Sequence, residues 1–299
     1  MLNTPFAALL LTAAALPAIP ALAPSEIVAA APASDWSAIA ASDLLVMDLA
    51  ADAKGKPRRV VIQLMPPPFS QGWVGNIRKL AAAHWWDGTS INRVQENYVV
   101  QWGDASEKKA LPAGLVMVGE GEYEANVDKA GITSFPVVAK DAYADYVGYS
   151  HGWPVGHDRD IRKMWPVHCY AMVGVGRNLS PDTGSGAELY TVIGHAPRHL
   201  DRNIAVVGRV ISGIENLSSL PRGAGSLGFY EKPEERLTIK SMRLVKDLPE
   251  LEQPKFEYLN PKLFVHYAYA RANRRDPFFI RPAGGADICN IPVPVRRVR

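Results

Sequence analysis

Apolar and polar positions along the chain mark out short strands more often than helices. Leu44–Leu49 and residues 60–64 are apolar runs of strand length. Between them the charged segment 51–59 carries Lys54-Gly55-Lys56-Pro57, so the pair reads as a hairpin with a long loop. Met65-Pro66-Pro67-Pro68 then ends strand structure, because proline removes the ladder donor. Residues 72–84 have helical spacing, with Trp73, Ile77, Leu80 and Ala81 on one side and Arg78 and Lys79 elsewhere. Strands are predicted at 90–95 and 98–102, joined by the tight Glu96-Asn97 corner. The strand pattern returns at 167–173, 187–193 and 204–210. A short amphipathic helix at 214–220 and a strand at 237–245 follow. Asn260-Pro261 is a strong helix start, with Asn as cap and Pro in the first turn. The helix it opens runs to Asn273 and presents Phe264, Tyr267 and Ala268.

About eight strands and two short helices, mostly with connections suited to antiparallel pairing, predict a mainly β fold, a barrel or a sandwich. A doubly wound sheet does not fit. The irregular part is 105–165, where Gly114, Gly119, Gly121, Gly131, Gly148, Gly152 and Gly156 recur among prolines. A loop this long reads as an insertion. Residues 24–43 read as an Ala/Pro/Ser-rich linker with a helical-looking patch near Trp36, and 44–246 as the barrel domain. Residues 247–299 form a C-terminal helix and a basic tail, with Arg281, Arg296, Arg297 and Arg299 among prolines, expected to be a solvated wrapping segment.

Composition adds compartment and exclusions. The chain of 299 residues is 47% hydrophobic and 21% charged, ordinary for a globular protein. Its net charge of +3, without a basic and aromatic stripe, points away from nucleic acid. Residues 1–23 carry no charged side chain and end in Ala21-Leu22-Ala23, the small-x-small form of an export signal cleavage site. Prolines at 17 and 20 make the same stretch a poor membrane span, so an exported, periplasmic protein is expected. Of the two cysteines, Cys169 and Cys289, nothing in the sequence shows that they meet. Two separate thiols are the simpler expectation, and a bridge linking barrel to tail is the alternative.

Two stretches carry a family resemblance. Trp86-Asp87-Gly88-Thr89-Ser90-Ile91-Asn92-Arg93-Val94, continuing to Tyr98-Val99-Val100-Gln101-Trp102-Gly103-Asp104, is one. Met172, Gly184-Ser185-Gly186-Ala187-Glu188-Leu189-Tyr190, Leu200-Asp201 and Val206-Val207-Gly208-Arg209-Val210-Ile211-Ser212-Gly213 form the other. In order and spacing these blocks resemble the cyclophilin family of peptidyl-prolyl cis-trans isomerases. The resemblance implies a closed eight-stranded antiparallel barrel with two short capping helices, to which a C-terminal helical extension is added. It also implies prolyl isomerisation of proline-containing polypeptides, needing no cofactor and no metal.

The resemblance places the catalytic arginine at Arg93 and the substrate-orienting glutamine at Gln101. Tyr98, Val99, Tyr190 and Leu200 match its proline pocket. Glu188 falls where the family has glutamine, adding a carboxylate able to compete for Arg93, and His199 lies close to a usual tryptophan. Ile204 and Asn92 fall where histidines are common, and Trp102 falls where a glycine sits in a tight bend. These departures keep a second reading open, a binding module that holds proline segments without turning them over.

Other motifs lack their context. Gly223-Ala224-Gly225-Ser226-Leu227-Gly228 fits G-x-G-x-x-G but follows a helix instead of a strand. His151, His157, His168 and Cys169 have no paired spacing for zinc.

Overall fold

The computed structural model describes residues 21–126 and 141–298. Most of the proposed leader, and residues 127–140 of the insertion, lie outside the described residues. The centre is a closed antiparallel barrel of eight strands. They are β2 (Leu44–Leu49), β3 (Arg58–Leu64), β4 (Ser90–Val94), β5 (Val99–Gly103), β10 (Met172–Val175), β11 (Leu189–Val192), β12 (Val206–Ser212) and β13 (Leu237–Leu244). Their order around the barrel is β10-β11-β5-β4-β13-β2-β3-β12, and β12 pairs with β10 to close it. Seven of the predicted barrel strands are thus present within two residues of their expected bounds, and the eighth, expected at 167–173, is shifted.

Helix α2 (Gln71–Ala82) buries Trp73, Ile77, Leu80 and Ala81 in the barrel core, the side its spacing predicts. Strand β2 is buried on both faces. Leu45 and Met47 point into the barrel, while Leu44 and Val46 pack outward with Ile39, Val61 and Phe256. Burial on both sides explains why this strand reads as an unbroken apolar run rather than an alternation.

The partner on that outer face is a second sheet, order β1-β14-β15, made of β1 (Trp36–Ala38), β14 (Phe256–Leu259) and β15 (Val295–Arg297). Near Trp36 the helical part is a single 3-10 turn, Ala33–Asp35, and Trp36 itself opens a strand; its partner Leu259 lies over 200 residues on, beyond the reach of local periodicity. The segment expected as a linker also carries α1 (Pro24–Ala29), which packs against α4 (Pro261–Ala272). Helix α4 starts as predicted: the Asn260 side chain accepts from Lys262 N at 3.1 Å, and Phe264, Tyr267 and Ala268 are buried. A one-turn helix, α3 (Glu215–Ser218), lies within the predicted 214–220 segment.

The insertion expected as loop contains a four-stranded sheet, order β6-β9-β8-β7. Its strands are β6 (Ala125–Asn126), β7 (Tyr146–Ser150), β8 (Trp153–Asp158) and β9 (Lys163–Pro166). The glycines that disguise it are part of its packing. A Cβ on Gly156 would lie 2.7 Å from the Trp165 indole nitrogen, so glycine is what lets that ring cross the neighbouring strand. The expected strand at 167–173 begins only at Met172, because 167–169 is irregular and the chain then turns at Tyr170 and Ala171, where Ala171 takes φ of 68°. The tail wraps the molecule and is solvated over much of its length, Arg281, Arg296 and Arg297 included, but it is anchored near its end. Cys169 and Cys289 form a disulfide, Ile288 and Ile291 are buried, and Tyr149 donates to the Ile288 and Ile291 carbonyls. No described helix is long and apolar enough to cross a membrane.

Candidate active site

Three strands, β4, β5 and β11, carry the site on the barrel's outer face. Antiparallel register aligns Arg93 with Gln101, and Gln101 with Tyr190, so the three form a row across adjacent strands. Because strand side chains alternate, Val99 faces outward beside Gln101, while Val100 and Trp102 point into the barrel. Trp102 is fully buried there, on a strand rather than in a tight bend.

Arg93 is half-buried and held from several sides. Its Nε donates to the Leu227 carbonyl at 2.7 Å, its Nη1 to Gln101 Oε1 at 3.2 Å, and its Nη2 to Gln95 Oε1. The guanidinium lies 5.7 Å from the Tyr98 ring centroid and 5.4 Å from that of Phe229. Burial draws its pKa down, yet a guanidinium stays protonated. Among the described residues no carboxylate pairs with it. A cation fixed by neutral acceptors and aromatic faces keeps its field available to a ligand.

Beside it lies a separate apolar cluster. Val99, Tyr190 and Val192 are buried, and Tyr98, Leu200 and Ile204 pack around them half-exposed. Together they form an apolar patch beside the cation, the candidate seat for a proline ring. His199 is exposed on its rim and stacks on Tyr98, with ring centroids 6.3 Å apart.

The patch has its own support. Tyr190 OH bonds His168 Nε2 at 2.9 Å, and His168 Nδ1 faces Asp201 Oδ1 at 2.9 Å. The carboxylate fixes the proton on Nδ1, leaving Nε2 to accept from the phenol. Arg198 Nε donates to Asp201 Oδ2 at 2.5 Å, and its terminal nitrogens pair with Asp141 at 2.9 and 3.0 Å. Burial holds the Tyr190 phenol well above its ordinary pKa, so it stays a neutral donor. Gly174 leaves room for the ring, since a Cβ there would collide with it.

Glu188 turns away from Arg93, so the expected competition does not occur. Its Oε1 accepts from Asp104 N at 2.7 Å, in space left by Gly103, and Gln101 hydrogen-bonds its carboxylate. Burial, then repulsion from Asp104 and Glu107, pushes its pKa up to about 7. It lines a neighbouring cleft of about 490 Å³ with Gln101, Asn92, Lys109, Arg177 and Phe229.

All eight residues expected at the site thus lie on this one face, Glu188 in the adjoining cleft. Sequence reasoning missed Gln95, Leu227, Phe229, His168, Asp201 and Arg198. A signal for the loop holding two of them was visible: the glycines from Gly223 to Gly228 serve close approach, not phosphate binding. Gly228 has φ of 80°, a Cβ on it would lie 2.7 Å from Gln95 Cα, and Gly223 N bonds the Val94 carbonyl at 3.0 Å. The described residues contain no cluster of three or more metal-ligating side chains.

Comparison with known proteins gives a family and solved structures of similar fold. A family model described as cyclophilin type peptidyl-prolyl cis-trans isomerase/CLD matches residues 56–244. The chain is similar to cyclophilin AquaCyp293 from Hirschia baltica, at 22% identity and a TM-score of 0.65, covering 88% of this chain and 93% of that one. A Cryptosporidium parvum cyclophilin type isomerase, crystallised in the presence of the dipeptide Ala-Pro, shares 12% identity at a TM-score of 0.38, over 67% of this chain and 98% of that one. No curated protein matches.

Proposed function

This chain belongs to the cyclophilin type peptidyl-prolyl cis-trans isomerase family, and on that premise we propose that Arg93 and Gln101 carry its reaction on a proline held in the Val99–Tyr190 slot. Isomerisation breaks no covalent bond. The obstacle is amide resonance, a barrier of roughly 18–20 kcal/mol. At the top of that barrier the amide is twisted and the proline nitrogen, no longer conjugated, has become a pyramidal base. A fixed cationic donor beside that nitrogen stabilises the twisted form more than either planar one, which is the requirement for catalysis.

The observation that carries this reading is the way Arg93 is held. A guanidinium has five N–H groups. Three are used by Leu227, Gln101 and Gln95, which fix the plane and leave the others for substrate. Gln101 sits between the cation and Tyr190, placed to bind the substrate backbone while the ring occupies the apolar slot. The test is a proline-peptide isomerisation assay. Arg93→Ala is expected to lower kcat/KM by roughly a hundredfold, the loss of about 3 kcal/mol of transition-state stabilisation. Equal catalysed rates in variant and wild type would refute the role of Arg93, and inactivity in both with peptide binding retained would leave a binding module.

The setting we propose is the periplasm, where the enzyme assists folding of exported proteins. Slow prolyl isomerisation limits folding, and this catalyst needs no nucleotide. The uncharged apolar leader and the Cys169–Cys289 disulfide support an oxidising compartment. Full-length chain expressed in a Gram-negative host is expected in the periplasmic fraction without its leader. Recovery in the cytoplasm with Met1 intact would overturn the placement.

A further inference from the structure

Two of the described arginines are buried almost completely, and they are treated differently. Arg198 is 4% exposed and meets two carboxylates, Asp141 and Asp201. Arg209, on β12, is 7% exposed and meets none among the described residues. Its Nε donates to Gln63 Oε1 at 2.9 Å, its Nη1 donates to the Gly152 carbonyl at 2.9 Å, and its guanidinium lies 4.3 Å from the Trp153 ring centroid. All three partners are neutral. The groups that favour its charge are the phenols of Tyr258 and Tyr149, and burial pulls its pKa down to about 10. It is therefore still charged at neutral pH, in a place where a charge without a counterion is costly.

Arg209 lines a cavity of about 340 Å³ between the barrel and the C-terminal tail. The other walls are apolar: Met172 and Val210 from the barrel, Ile288, Ile291 and Val293 from the tail, and the Cys169–Cys289 bridge joining the two sides. Among the described residues no acidic one lines it. Tyr170, 47% exposed, and exposed Pro292 also line it, so the cavity reaches the surface. The cavity is separate from the proline slot, since β12 is two strands round the barrel from Tyr190 on β11.

A single cation without a counterion in an apolar chamber defines its complement. We propose that this cavity is a binding site for a small apolar carboxylate, whose carboxylate neutralises Arg209 and whose hydrocarbon body fills the space beneath the tail. A charge-assisted pair made away from water supplies specificity for the head, and burial of the body supplies the rest of the affinity. A doubly charged inorganic anion matches the cation but not the walls, and an alcohol of equal length matches the walls but not the cation.

The test is calorimetric titration of sodium decanoate into the full-length oxidised protein, with decan-1-ol and inorganic phosphate as comparison probes. Saturable one-to-one binding of decanoate is expected, weakened about tenfold or more in Arg209→Gln, with both comparison probes at least as much weaker. Absence of decanoate binding, equal binding by decan-1-ol or phosphate, or undiminished binding by Arg209→Gln would each overturn the proposal. Circular dichroism checks that Arg209→Gln folds. Val293→Trp is the second variant: it fills the chamber from the tail and leaves the cation in place. It too is expected to abolish decanoate binding, and unchanged binding would overturn the site. Neither residue touches the proline slot, so isomerase activity is expected to persist in both variants.

Discussion

At the scale of residues, the site separates a permanent charge from a titrating one. Arg93 keeps its proton at every physiological pH, whereas Glu188 has a pKa pushed up to about 7 by burial and by Asp104 and Glu107. Gln101 touches both, through Arg93 Nη1 on one side and the Glu188 carboxylate on the other. Ionisation of Glu188 therefore changes the acceptor that fixes Gln101, and the kcat/KM profile is expected to inflect near pH 7. Glu188→Gln should flatten that profile, and an inflection that persists in the variant would assign the titration elsewhere. The stability sign follows from the same shift. The folded pKa lies above the ordinary 4.5, so the protonated form is favoured by folding, and its contribution is complete below about pH 4.5. That contribution fades as pH rises through 7. At pH 8 Glu188→Gln should therefore unfold at higher urea than wild type, by at most about 3 kcal/mol, with the difference shrinking towards pH 5.

At the scale of elements, what was legible in the sequence was whatever local periodicity determines. Strand β2 was readable to the residue as Leu44–Leu49, and helix α4 was readable from Asn260-Pro261 together with the apolar face of Phe264 and Tyr267. Ordered motif blocks placed Arg93, Gln101, Val99 and Tyr190 in sequence, and the structure brings these four together on β4, β5 and β11. Elements set by distant pairing were not readable. Trp36 becomes a strand only because Leu259 lies opposite, and Trp165 belongs to a sheet only because Gly156 makes room for it. The same holds for the polar support of the site. His168 and Asp201 are 33 residues apart, and Arg198 reaches Asp141 across 57, so no spacing rule links them. The loop that brings Phe229 over Arg93 shows the opposite error to avoid: a glycine pattern borrowed from phosphate-binding loops here serves close backbone contact with β4.

At the scale of the whole molecule, the barrel is wrapped by chain from both ends, and one covalent link holds the wrapping. The N-terminal helix α1 packs on α4, β1 pairs with β14, β14 with β15, and the disulfide ties Cys289 of the tail to Cys169, just before barrel strand β10. The bridge closes a segment of 120 residues, and restricting so long a loop in the unfolded chain is worth about 4–5 kcal/mol on the chain-entropy argument. The native tail also contributes, through the buried side chains of Ile288 and Ile291 and the bonds from Tyr149. The double variant Cys169→Ser with Cys289→Ser is therefore expected to unfold at lower denaturant by about 3–5 kcal/mol while keeping the barrel. Because Arg93 and the buried slot residues Val99, Tyr190 and Val192 sit on β4, β5 and β11, and Leu200 on the turn that follows β11, none of them on the tail, kcat/KM of the folded variant should stay within about twofold of wild type. Urea melts under oxidising and reducing conditions, read beside the peptide assay, distinguish the two outcomes. A large loss of activity in folded variant would mean that the tail and the proline slot are coupled through the intervening strand β10. Unchanged stability would mean that the packing of β15 and the tail isoleucines holds the C-terminus without the bridge.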